Sequence, residues 1–436
     1  MNARGRLGVS IILTASSLML TAAAIAQDNT DTRNSYPPKE NQSPRILWNR
    51  YYGGAQDDAA YSVCEIDDGQ LAVGGDCVTD STGLRRMCLT LLNNYGDVEW
   101  MKAFEGDQTA SCRAVKPTNE GGFVMCGSTR GVGSRGIDHY VVKTDAEGLE
   151  EWSRISQERG ADYAEDILHA RGGGFISVGR KISDAVGDST GAFHIVKTNK
   201  PGKIVWTRNY NGEQANAVIE VEEGNLVAVG YTKVIPQSAR PPKPPKPTKM
   251  PWESEEEDPD TSLCLDEAAF YMVRVNWKGE TIRTNTYWNS GWDIAYDVKQ
   301  TKDGGFLIAG AVGGCKDRPE GYDCWVIRTN NKGDTLWTNR FGGEREDQAR
   351  GIIETDDGGI IVTGYTYSYG EGRSDMLVYK LSAKGELLWS KTIGGAKDEF
   401  AHDIRQTTDG GYIIAGSTES YGAGGWDMYL VKLTRE

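Results

Sequence analysis

The sequence predicts an all-β fold, a seven-bladed β-propeller in which each blade has four antiparallel strands. Three observations predict it. A tryptophan recurs roughly every fifty residues, a stretch like "TKDGGFLIAG" (residues 301–310) recurs in step with it, and the two ends of the chain are out of phase with the repeat. Units of about fifty residues, each with four strand-like runs, are typical of blades arranged around a central axis.

The tryptophan positions give the number of units. The repeated tryptophans are Trp48, Trp100, Trp152, Trp206, Trp337 and Trp389. The interval from Trp206 to Trp337 has the length of two units and an insertion, and Arg283 takes the tryptophan position of the additional unit in "WKGETIRTNTY". Seven units result.

Each unit contains four runs that are typical of β-strands. In the last unit these are "AHDIRQT", "GYIIAGST" and "DMYLVKL", and "ELLWSKTI" before them is the outer strand of the preceding unit. The runs alternate in polarity or are rich in β-branched and aromatic residues, with no helical period. Asp-Gly-Gly and "SAKGE"-type turns join them, because glycine permits the positive φ that tight turns need.

The ends of the chain predict how the ring closes. The first repeat element, "ILWNRYYGG", is an outer strand with no inner strands before it, and "DMYLVKLTRE" completes only a third strand. We therefore expect Ile46 to Tyr51 to form the outer strand of the seventh blade. This pairing would leave the sheet ring without an open seam.

Two segments are expected to lie outside the repeat. Residues 1–26 have the features of a signal peptide, with the basic "MNARGR", an apolar run and an A-x-A site at Ala24-Ile25-Ala26. Residues 27–44 are predicted to be a flexible segment, and the propeller spans residues 45–436. No later apolar run has the length of a membrane span. The chain is therefore predicted to be exported, to the periplasm or the extracellular space.

The fourth blade carries an insertion at residues 236–263. It contains "PPKPPKPTKMPWESEEEDPD", whose first part is basic and proline-rich and whose second part is acidic. A segment of this composition cannot bury a core of its own and is predicted to be disordered. It is either a docking segment or a tolerated loop, and its place between the second and third strands puts it on the face of the loops that lead into each inner strand.

The charge of the chain limits its partners. The formal net charge is −14, and removing the signal peptide takes away Arg4 and Arg6 but no acid. A surface this acidic does not attract nucleic acid or anionic lipid, so neither is expected as a partner. Solubility is the simplest consequence of such a charge.

Eight cysteines, an even number in a chain predicted to be exported, favour disulfides. The short loops between neighbouring strands predict the pairs Cys315–Cys324 and Cys77–Cys88, with Cys112–Cys126 possible across the hairpin of the second blade. Cys64 and Cys264 would then pair with each other or stay free. The absence of a CxxC pair and the small number of histidines, only four, give no support for a zinc site.

The repeat resembles known propeller families. "TNNKGDTLWTNRFGG" and "LSAKGELLWSKTIGG" resemble the tryptophan-docking repeats of pyrroloquinoline-quinone-type propellers. The whole unit, with its DGG turn and its D-x-x-x-V-K strand, is more similar to secreted bacterial propellers of DGGY-type repeats. The resemblance covers Ile46 to Glu436 and implies the fold, but it implies no activity because the repeated residues are scaffold.

Four aspartates begin the third strand of their blades: Asp138, Asp323, Asp375 and Asp427. As metal ligands they would have to share an ion, but they belong to different blades. We predict instead that they accept hydrogen bonds from turns and backbone, as aspartates at strand ends often do.

Functional residues are expected where the repeat varies, and the aligned inner strands show three columns. A column of small residues, which lets seven strands crowd the axis, contains Ala60, Cys112, Ala164, Ala215, Ala295, Ala349 and Ala401. Two residues earlier stands a mostly acidic column of Asp58, Ala110, Asp162, Glu213, Asp293, Asp347 and Glu399. One residue after the small column stands a variable column of Tyr61, Arg113, Glu165, Asn216, Tyr296, Arg350 and His402.

Each of the two polar columns has two interpretations. The variable column is either a small-molecule or sugar-binding rim at the channel mouth or a solvated channel lining without a ligand. The acidic column either attracts calcium or, more simply, accepts hydrogen bonds from loops. No other cofactor is predicted.

The leading functional prediction is an exported, non-enzymatic propeller that binds a protein partner or a glycan through its loop-rich face. The first alternative is a polysaccharide lyase or hydrolase in which His402, Tyr61, Tyr296, Arg113 and Arg350 imitate the axial residues of propeller lyases. Neighbouring acids make an anionic substrate unattractive, and no GxSxG, HExxH or DxDxDG motif is present. No catalytic residue is therefore assigned. The second alternative is a structural component of the envelope.

Overall fold

The computed structural model describes residues 34–35, 43–79, 82–106, 108–130, 136–156, 160–183, 191–233, 267–289, 291–315 and 318–436. These ranges contain β-strands and two short 3-10 turns and no α-helix. The predicted signal peptide and the insertion at residues 236–263 lie outside them, as does most of the predicted flexible segment at 27–44. None of the described stretches forms an apolar helix long enough to span a bilayer.

The strands form seven sheets, each with four antiparallel strands and one with a short fifth strand, which confirms the predicted seven-bladed propeller. Before the first blade come β1 (Asn34–Ser35) and β2 (Ile46–Tyr52). Blade 1 contains β3 (Ala59–Glu65), β4 (Leu71–Cys77), β5 (Arg86–Leu92) and β6 (Val98–Phe104). Blade 2 contains β7 (Thr109–Pro117), β8 (Phe123–Arg130), β9 (Ile137–Thr144) and β10 (Glu150–Ile155). Blade 3 contains β11 (Ala161–His169), β12 (Phe175–Ile182), β13 (Gly191–Thr198) and β14 (Ile204–Tyr210).

The remaining blades repeat this order of strands from the axis outwards. Blade 4 contains β15 (Gln214–Glu220), β16 (Leu226–Lys233), β17 (Ala268–Val275) and β18 (Thr281–Tyr287). Blade 5 contains β19 (Ile294–Gln300), β20 (Phe306–Cys315), β21 (Arg318–Thr329) and β22 (Thr335–Gly342), to which β1 adds a short parallel strand. Blade 6 contains β23 (Asp347–Glu354), β24 (Ile360–Thr366), β25 (Asp375–Leu381) and β26 (Leu387–Ile393). Blade 7 contains β27 (Glu399–Gln406), β28 (Tyr412–Thr418), β29 (Asp427–Leu433) and β2.

The N-terminal strand closes the ring, as the sequence predicts. β2 pairs antiparallel with β29, in a register that sets Ile46 opposite Leu433. The amide of Thr434 donates to the carbonyl of Arg45 at 2.9 Å, which extends the pairing beyond the strands. The first and last parts of the described propeller therefore share one sheet.

Each inner strand contains a β-bulge at the same place. In blade 1 Ala60 pairs with Gly75 and Ser62 with Gly74, so Tyr61 is left outside the ladder. The same shift occurs in the other six blades. The bulged residues are those of the variable column, and a bulge re-aims the side chain of the residue that it leaves unpaired.

The last glycine of the repeated stretch "TKDGGFLIAG" has a steric role at the same level. Gly310 pairs with Ala295, and a Cβ on it would lie 2.0 Å from the carbonyl oxygen of Ile294. In blade 1 a Cβ on Gly75 would lie 2.1 Å from the carbonyl oxygen of Ala59. Glycine recurs here because the backbone of the bulged strand comes too close for any side chain.

The repeated tryptophans dock onto the neighbouring blade. Gly148 lies in the turn between the last two strands of blade 2. A Cβ on it would lie 2.6 Å from the ring of Trp100, which packs against this turn. The indole N–H of Trp337 donates to the carbonyl of Ala383 in blade 6 at 3.3 Å. At the position without tryptophan, Arg283 reaches the next blade through an ion pair with Asp334 at 2.6 Å.

One predicted disulfide is confirmed. Cys77 and Cys88 are bonded, with a Cα–Cα distance of 5.9 Å. They join the two middle strands of blade 1, β4 and β5.

The predicted pair Cys112–Cys126 is wrong, because both cysteines are free and lie on opposite faces of blade 2. Cys112 packs in the core shared with blade 1, and Cys126 packs with Ala164 and Ile167 of blade 3. Neighbours across a hairpin can be bridged only when their side chains share a face of the sheet.

The predicted pair Cys315–Cys324 is also wrong, since Cys324 is free. The register sets Cys324 opposite Ala311 and Cys315 opposite Arg318, so the two cysteines are several residues apart along the ladder. A disulfide needs Cα atoms within about 7 Å of each other. Cys64 is free and buried, and Cys264 lies outside the described residues.

Candidate functional site

The seven bulged residues converge around the axis, and we call them the axial ring. Its members are Tyr61, Arg113, Glu165, Asn216, Tyr296, Arg350 and His402. All seven are half-buried. The structure thus brings together the whole column that the sequence predicts.

One half of the axial ring is a chain of contacts around Tyr61. The guanidinium carbon of Arg113 lies 4.4 Å from the centre of the Tyr61 ring, and the His402 ring lies 4.9 Å from it. Arg113 also forms an ion pair with Glu165, with 3.8 Å between Nε and Oε2. A cation over an aromatic ring is stabilised by the ring quadrupole.

The other half is organised around Arg350 and Asn216. The guanidinium carbon of Arg350 lies 3.8 Å from the centre of the Tyr296 ring and 5.5 Å from that of Tyr365. Asn216 donates through Nδ2 to the carbonyl of Ala295 at 2.7 Å. The polar groups of the ring are therefore used largely by their neighbours in the ring.

Burial sets the protonation states of the ring. Burial lowers the pKa of His402 to about 3, and Arg350 and Arg113 add to the effect, so the imidazole is neutral near pH 7. Burial raises the pKa of Tyr61 and that of Tyr296. None of these groups changes its protonation state near neutral pH. A general acid or base needs a pKa near the pH at which it works.

The acidic column fastens loops, as the simpler interpretation predicts. Asp58 accepts hydrogen bonds from the amides of Gly54 and Val78, at 2.8 and 2.9 Å. Glu399 accepts from the amide of Gly395 and the hydroxyl of Thr418, both at 2.7 Å. Both of these carboxylates join the loop before the inner strand to the second strand of the same blade or to the loop that follows that strand. The described residues contain no group of three or more potential metal ligands.

One third-strand aspartate, Asp375, has the hydrogen-bonding role that the sequence predicts, whereas Asp323 pairs with a side chain. Asp375 accepts from the amide of Gly372 at 3.1 Å, within the loop that precedes it. Asp323 accepts from Nε of Arg340 at 2.5 Å.

Three aspartates next to the axial ring, of which Asp297 and Asp403 are buried and Asp166 is partly buried, connect neighbouring blades, and sequence reasoning missed them. Asp166, Asp297 and Asp403 each follow an axial ring residue. Each accepts the amide hydrogen of the next inner strand, at 3.0 Å from Val218, 3.0 Å from Ile352 and 3.1 Å from Val63 respectively. The pattern A-x-D in three of the seven inner strands is the signal that could have revealed them.

These aspartates also form ion pairs with cationic side chains. Lys116 lies 3.3 Å from Asp166, and Arg405 lies 2.7 Å from Asp403. Cys64 is buried nearby, and burial raises its pKa to about 11. A thiol of that pKa stays protonated, so it is not a reactive nucleophile.

A cluster of aromatic side chains lies beside the channel mouth on the loop-rich face, and we call Tyr365, Tyr367, Phe400 and Trp426 the aromatic patch. Phe400 stacks on Trp426 with ring centres 5.2 Å apart and an interplanar angle of 17°. Tyr365 meets Phe400 edge-on at 4.7 Å. Phe400, Trp426 and Tyr367 are partly exposed. Sequence reasoning missed the patch, because its members come from different strands and loops of blades 6 and 7.

A pocket of about 210 Å³ joins the aromatic patch to the axial ring. Phe400 and Trp426 line one side, and Tyr61 and His402 line another. Its charged lining residues are Asp57, Asp58, Asp76 and Arg85. The arrangement combines flat apolar surfaces with a few hydrogen-bonding groups, as ligand pockets commonly do.

Two polar groups of this pocket are exposed enough to meet a ligand. Arg85 is about half-exposed and lies 3.6 Å from Asp76, a buried carboxylate that already accepts from the amide of Cys112 at 2.8 Å. Asp57 is exposed and accepts the amide of Trp426 at 3.1 Å, which holds the tryptophan loop of blade 7 against blade 1. Ring closure therefore also positions the aromatic patch.

The fold and its axial site define a class of protein, the seven-bladed β-propellers. The chain is similar to the WD40 propeller domain of Doa1, with a TM-score of 0.52 and 12% identity over 90% of this chain and 97% of that one. It is also similar to the WD40 domain of Pan2 from Neurospora crassa, with a TM-score of 0.53 and 9% identity over 92% and 98% of the two chains. At these identities the similarity shows the fold alone.

No protein-family model matches the chain, and no curated protein is similar to it in sequence. The finer resemblance to DGGY-type and pyrroloquinoline-quinone-type repeats therefore stays a prediction.

Proposed function

We propose that the protein is an exported, non-enzymatic binding scaffold that takes a glycan or a protein partner on its loop-rich face. The stacked pair of Phe400 and Trp426 beside the pocket is the observation that carries this proposal. It is a partly exposed aromatic surface placed next to hydrogen-bonding groups, on the face where the loops of all seven blades meet.

The chemistry of the pocket favours a glycan. A sugar ring presents apolar C–H faces, which pack on the negatively polarised face of an aromatic ring, and hydroxyl edges, which need donors and acceptors. Asp57 and Arg85 supply these beside Trp426. Charged groups make the stronger hydrogen bonds to hydroxyls and fix the orientation of the sugar.

A protein partner is the second candidate for the same surface. Tryptophan, tyrosine and arginine are the residues enriched at the energetic centres of protein interfaces. The patch has tryptophan and tyrosine, and the guanidinium carbon of the neighbouring Arg345 lies 5.6 Å from the centre of the Tyr367 ring.

The lyase or hydrolase alternative receives less support from the geometry. The axial histidine has a pKa of about 3, and burial raises the tyrosine pKa values, so neither group would move a proton near neutral pH. The arginines that would bind a substrate are occupied by ring contacts with Tyr61 and Tyr296. A structural role in the envelope is the remaining alternative.

The test measures binding to a panel of neutral and acidic oligosaccharides and to a panel of envelope proteins. We expect Trp426→Ala to weaken glycan binding by roughly tenfold or more, as loss of a central aromatic contact does. Trp277→Ala is the matched control, because Trp277 is also a large exposed aromatic residue but lies in a blade 4 turn away from the patch.

The possible results separate the candidates. Loss of glycan binding in Trp426→Ala alone supports the glycan, and loss of protein binding alone supports the protein partner. Equal binding by Trp426→Ala and Trp277→Ala would remove the patch from the proposal. Reducing ends or unsaturated uronates released from any oligosaccharide would revive the enzyme alternative. Export is checked by sequencing the mature N-terminus, which we expect at Gln27.

A further inference from the structure

Between blades 2 and 3, the third and outer strands line a cavity of about 590 Å³, which Asp162 at the start of the inner strand β11 also borders. Its apolar walls are Val141, Trp152 and Ile155 from blade 2, and Val196 and Ile204 from blade 3. It shares no lining residue with the axial ring or the aromatic patch. Its volume is in the range of sites that hold small molecules.

The cavity lies at a position where the other interfaces have a large aromatic side chain. At the other six interfaces, the last residue of the outer strand or the facing residue of the next blade's third strand is Phe, Tyr or Trp. The facing pairs are Phe104 with Tyr140, Tyr210 with Tyr271, Tyr287 with Trp325, Phe341 with Leu377, Ile393 with Tyr429, and Tyr52 with Cys88. Between blades 2 and 3 the pair is Ile155 with His194, and both lack that bulk.

Polar groups replace further core residues at this interface. His139 takes a position that is Met, Phe or Cys in the other blades, and its Nε2 lies 2.9 Å from the hydroxyl oxygen of Ser177. Ser177 in turn takes a position that is otherwise Val, Met, Ala or Ile. At these two facing positions, where the other blades have apolar residues, blades 2 and 3 have polar ones.

The histidines are neutral and satisfied by the protein. The Nδ1 of His194 lies 2.6 Å from Oδ1 of Asn209, and its Nε2 lies 3.1 Å from the hydroxyl of Thr207. Burial lowers the pKa of His139 to about 3 and that of His194 to about 4. The two imidazoles therefore bring hydrogen-bonding edges to the cavity without bringing charge.

Asp162 supplies the group that a ligand would meet. Its side chain lines the cavity and is 3% exposed. Oδ2 accepts the hydroxyl of Ser156 at 3.2 Å, whereas Oδ1 has no hydrogen-bond partner among the described residues. Oδ1 of Asp347, in the same acidic column, also lacks a partner among the described residues, but Asp162 in addition borders a cavity from which a donor could reach it.

We propose that this cavity binds a small, uncharged, mostly aromatic molecule with one N–H or O–H group, which donates to Oδ1 of Asp162. The apolar walls take the rings, and the aspartate fixes their orientation. This site is separate from the proposed glycan or protein surface, and neither proposal depends on the other.

The rim of the cavity explains why the ligand is uncharged rather than cationic. Arg154 and Lys203 line it, and both are exposed. Arg154 is fixed in place, with its guanidinium carbon 5.2 Å from the centre of the Trp152 ring and its Nη2 donating to the carbonyl of Pro201 at 2.8 Å. Two positive charges at the opening repel a cationic ligand.

The test uses N-phenyl-1-naphthylamine, an uncharged diaryl amine with one N–H group whose fluorescence rises in apolar surroundings. We expect saturable binding at one molecule per chain. Ile155→Phe gives this interface the aromatic residue that most of the others have and fills the cavity. Binding should weaken at least about tenfold while the melting temperature is maintained or rises.

Two controls keep this test decisive. Ile393→Phe makes the same change between blades 6 and 7, where Tyr429 already provides the bulk, and should leave the binding of the dye unchanged. If Ile155→Phe fails to fold, His194→Tyr fills the cavity from the other side. Absence of saturable binding to the natural protein, or unchanged binding in the folded cavity-filling variant, overturns the proposal.

A second ligand tests the role of the carboxylate. In 1-benzylnaphthalene a methylene group replaces the N–H group at nearly the same shape. We expect it to compete with the amine at least about tenfold more weakly, because Oδ1 of Asp162 then remains without a donor. Equal affinity of the two compounds would show that the cavity binds by shape alone and would overturn the assignment of Asp162.

Discussion

The axial ring and the cavity between blades 2 and 3 are both places where the seven blades stop being alike, but the differences act in opposite ways. At the axis, different side chains occupy the same bulge in every blade and satisfy one another, as Arg113 does with Tyr61. In the cavity, Ile155 and His194 stand where other interfaces have at least one large aromatic residue, and one oxygen of Asp162 has no donor among the described residues.

The comparison shows where a propeller can vary and at what cost. A bulged residue lies outside the hydrogen-bond ladder and beside the channel, so its identity changes the chemistry of the axis without changing the packing of the blades. A residue between two blades belongs to a close-packed core, so a smaller residue there leaves volume unfilled. Variation at the axis changes polarity, and variation between blades makes space.

The largest expected effect comes from opening the ring. Deleting residues 27–51 removes β2, leaves β29 as an open edge and should lower the free energy of unfolding by on the order of 5 kcal/mol. Deleting residues 27–42 is the control, because it keeps β2 and its pairing with β29. Thermal melting of both variants measures the difference. Equal melting temperatures would show that closure by β2 does not contribute to the stability of the propeller.

The next effect isolates the connection between neighbouring blades below the axial ring. Asp403 accepts the amide of Val63 and pairs with Arg405 at 2.7 Å. Asp403→Ala leaves both donors without their acceptor and should lower the free energy of unfolding by about 3 kcal/mol in urea titrations. Asp403→Asn keeps an acceptor for the amide and should cost clearly less. Similar losses in the two variants would mean that the ion pair, and not the connection to Val63, carries the stability.

The sequence was sufficient for the features that repeat. The tryptophan spacing gave seven blades, and the phase of Ile46 gave the closing strand, because both depend on positions that every blade must share. The variable column was also found, since its members share one position in each inner strand. These features depend on counting along the chain and need no knowledge of which residues face each other.

The predictions that failed, and the features that the sequence did not reveal, depend on which face of a strand a residue occupies. Cys112 and Cys126 are close across a hairpin, but they point into different interfaces. Predicting the cavity from the sequence requires a comparison of Ile155 with His194 and Ser177, which lie on three strands of two blades. Such a comparison becomes possible only when the register of neighbouring blades is known.

A smaller effect concerns the carboxyl group in the cavity. Burial raises the pKa of Asp162 to about 6, and Asp138 adds to the rise, which Ser156 opposes. The folded state therefore holds this proton more tightly than the unfolded state, so the contribution of Asp162 to stability falls as the pH rises from about 4 to about 6.

The variant Asp162→Asn tests this sign, since an amide resembles the protonated carboxyl at every pH. Relative to the natural protein, its melting temperature should be higher at pH 7 than at pH 4.5. The other titrating groups are common to both proteins and cancel in the difference. A relative melting temperature that is constant with pH would show that this carboxyl group is ionised equally in the folded and unfolded chains.

The smallest expected effect distinguishes the axial ring from the aromatic patch as the place of binding. Asn216 belongs to the ring but lies in blade 4, whereas the patch belongs to blades 6 and 7. Asn216→Ala removes one hydrogen bond to Ala295 and should lower the free energy of unfolding by about 1 kcal/mol. If the patch is the contact surface, affinity for the ligand identified by the panels should stay within about twofold of the natural protein. A loss as large as that of Trp426→Ala would instead place the ligand over the channel, where all seven blades contribute, and the patch would then be one edge of an axial site.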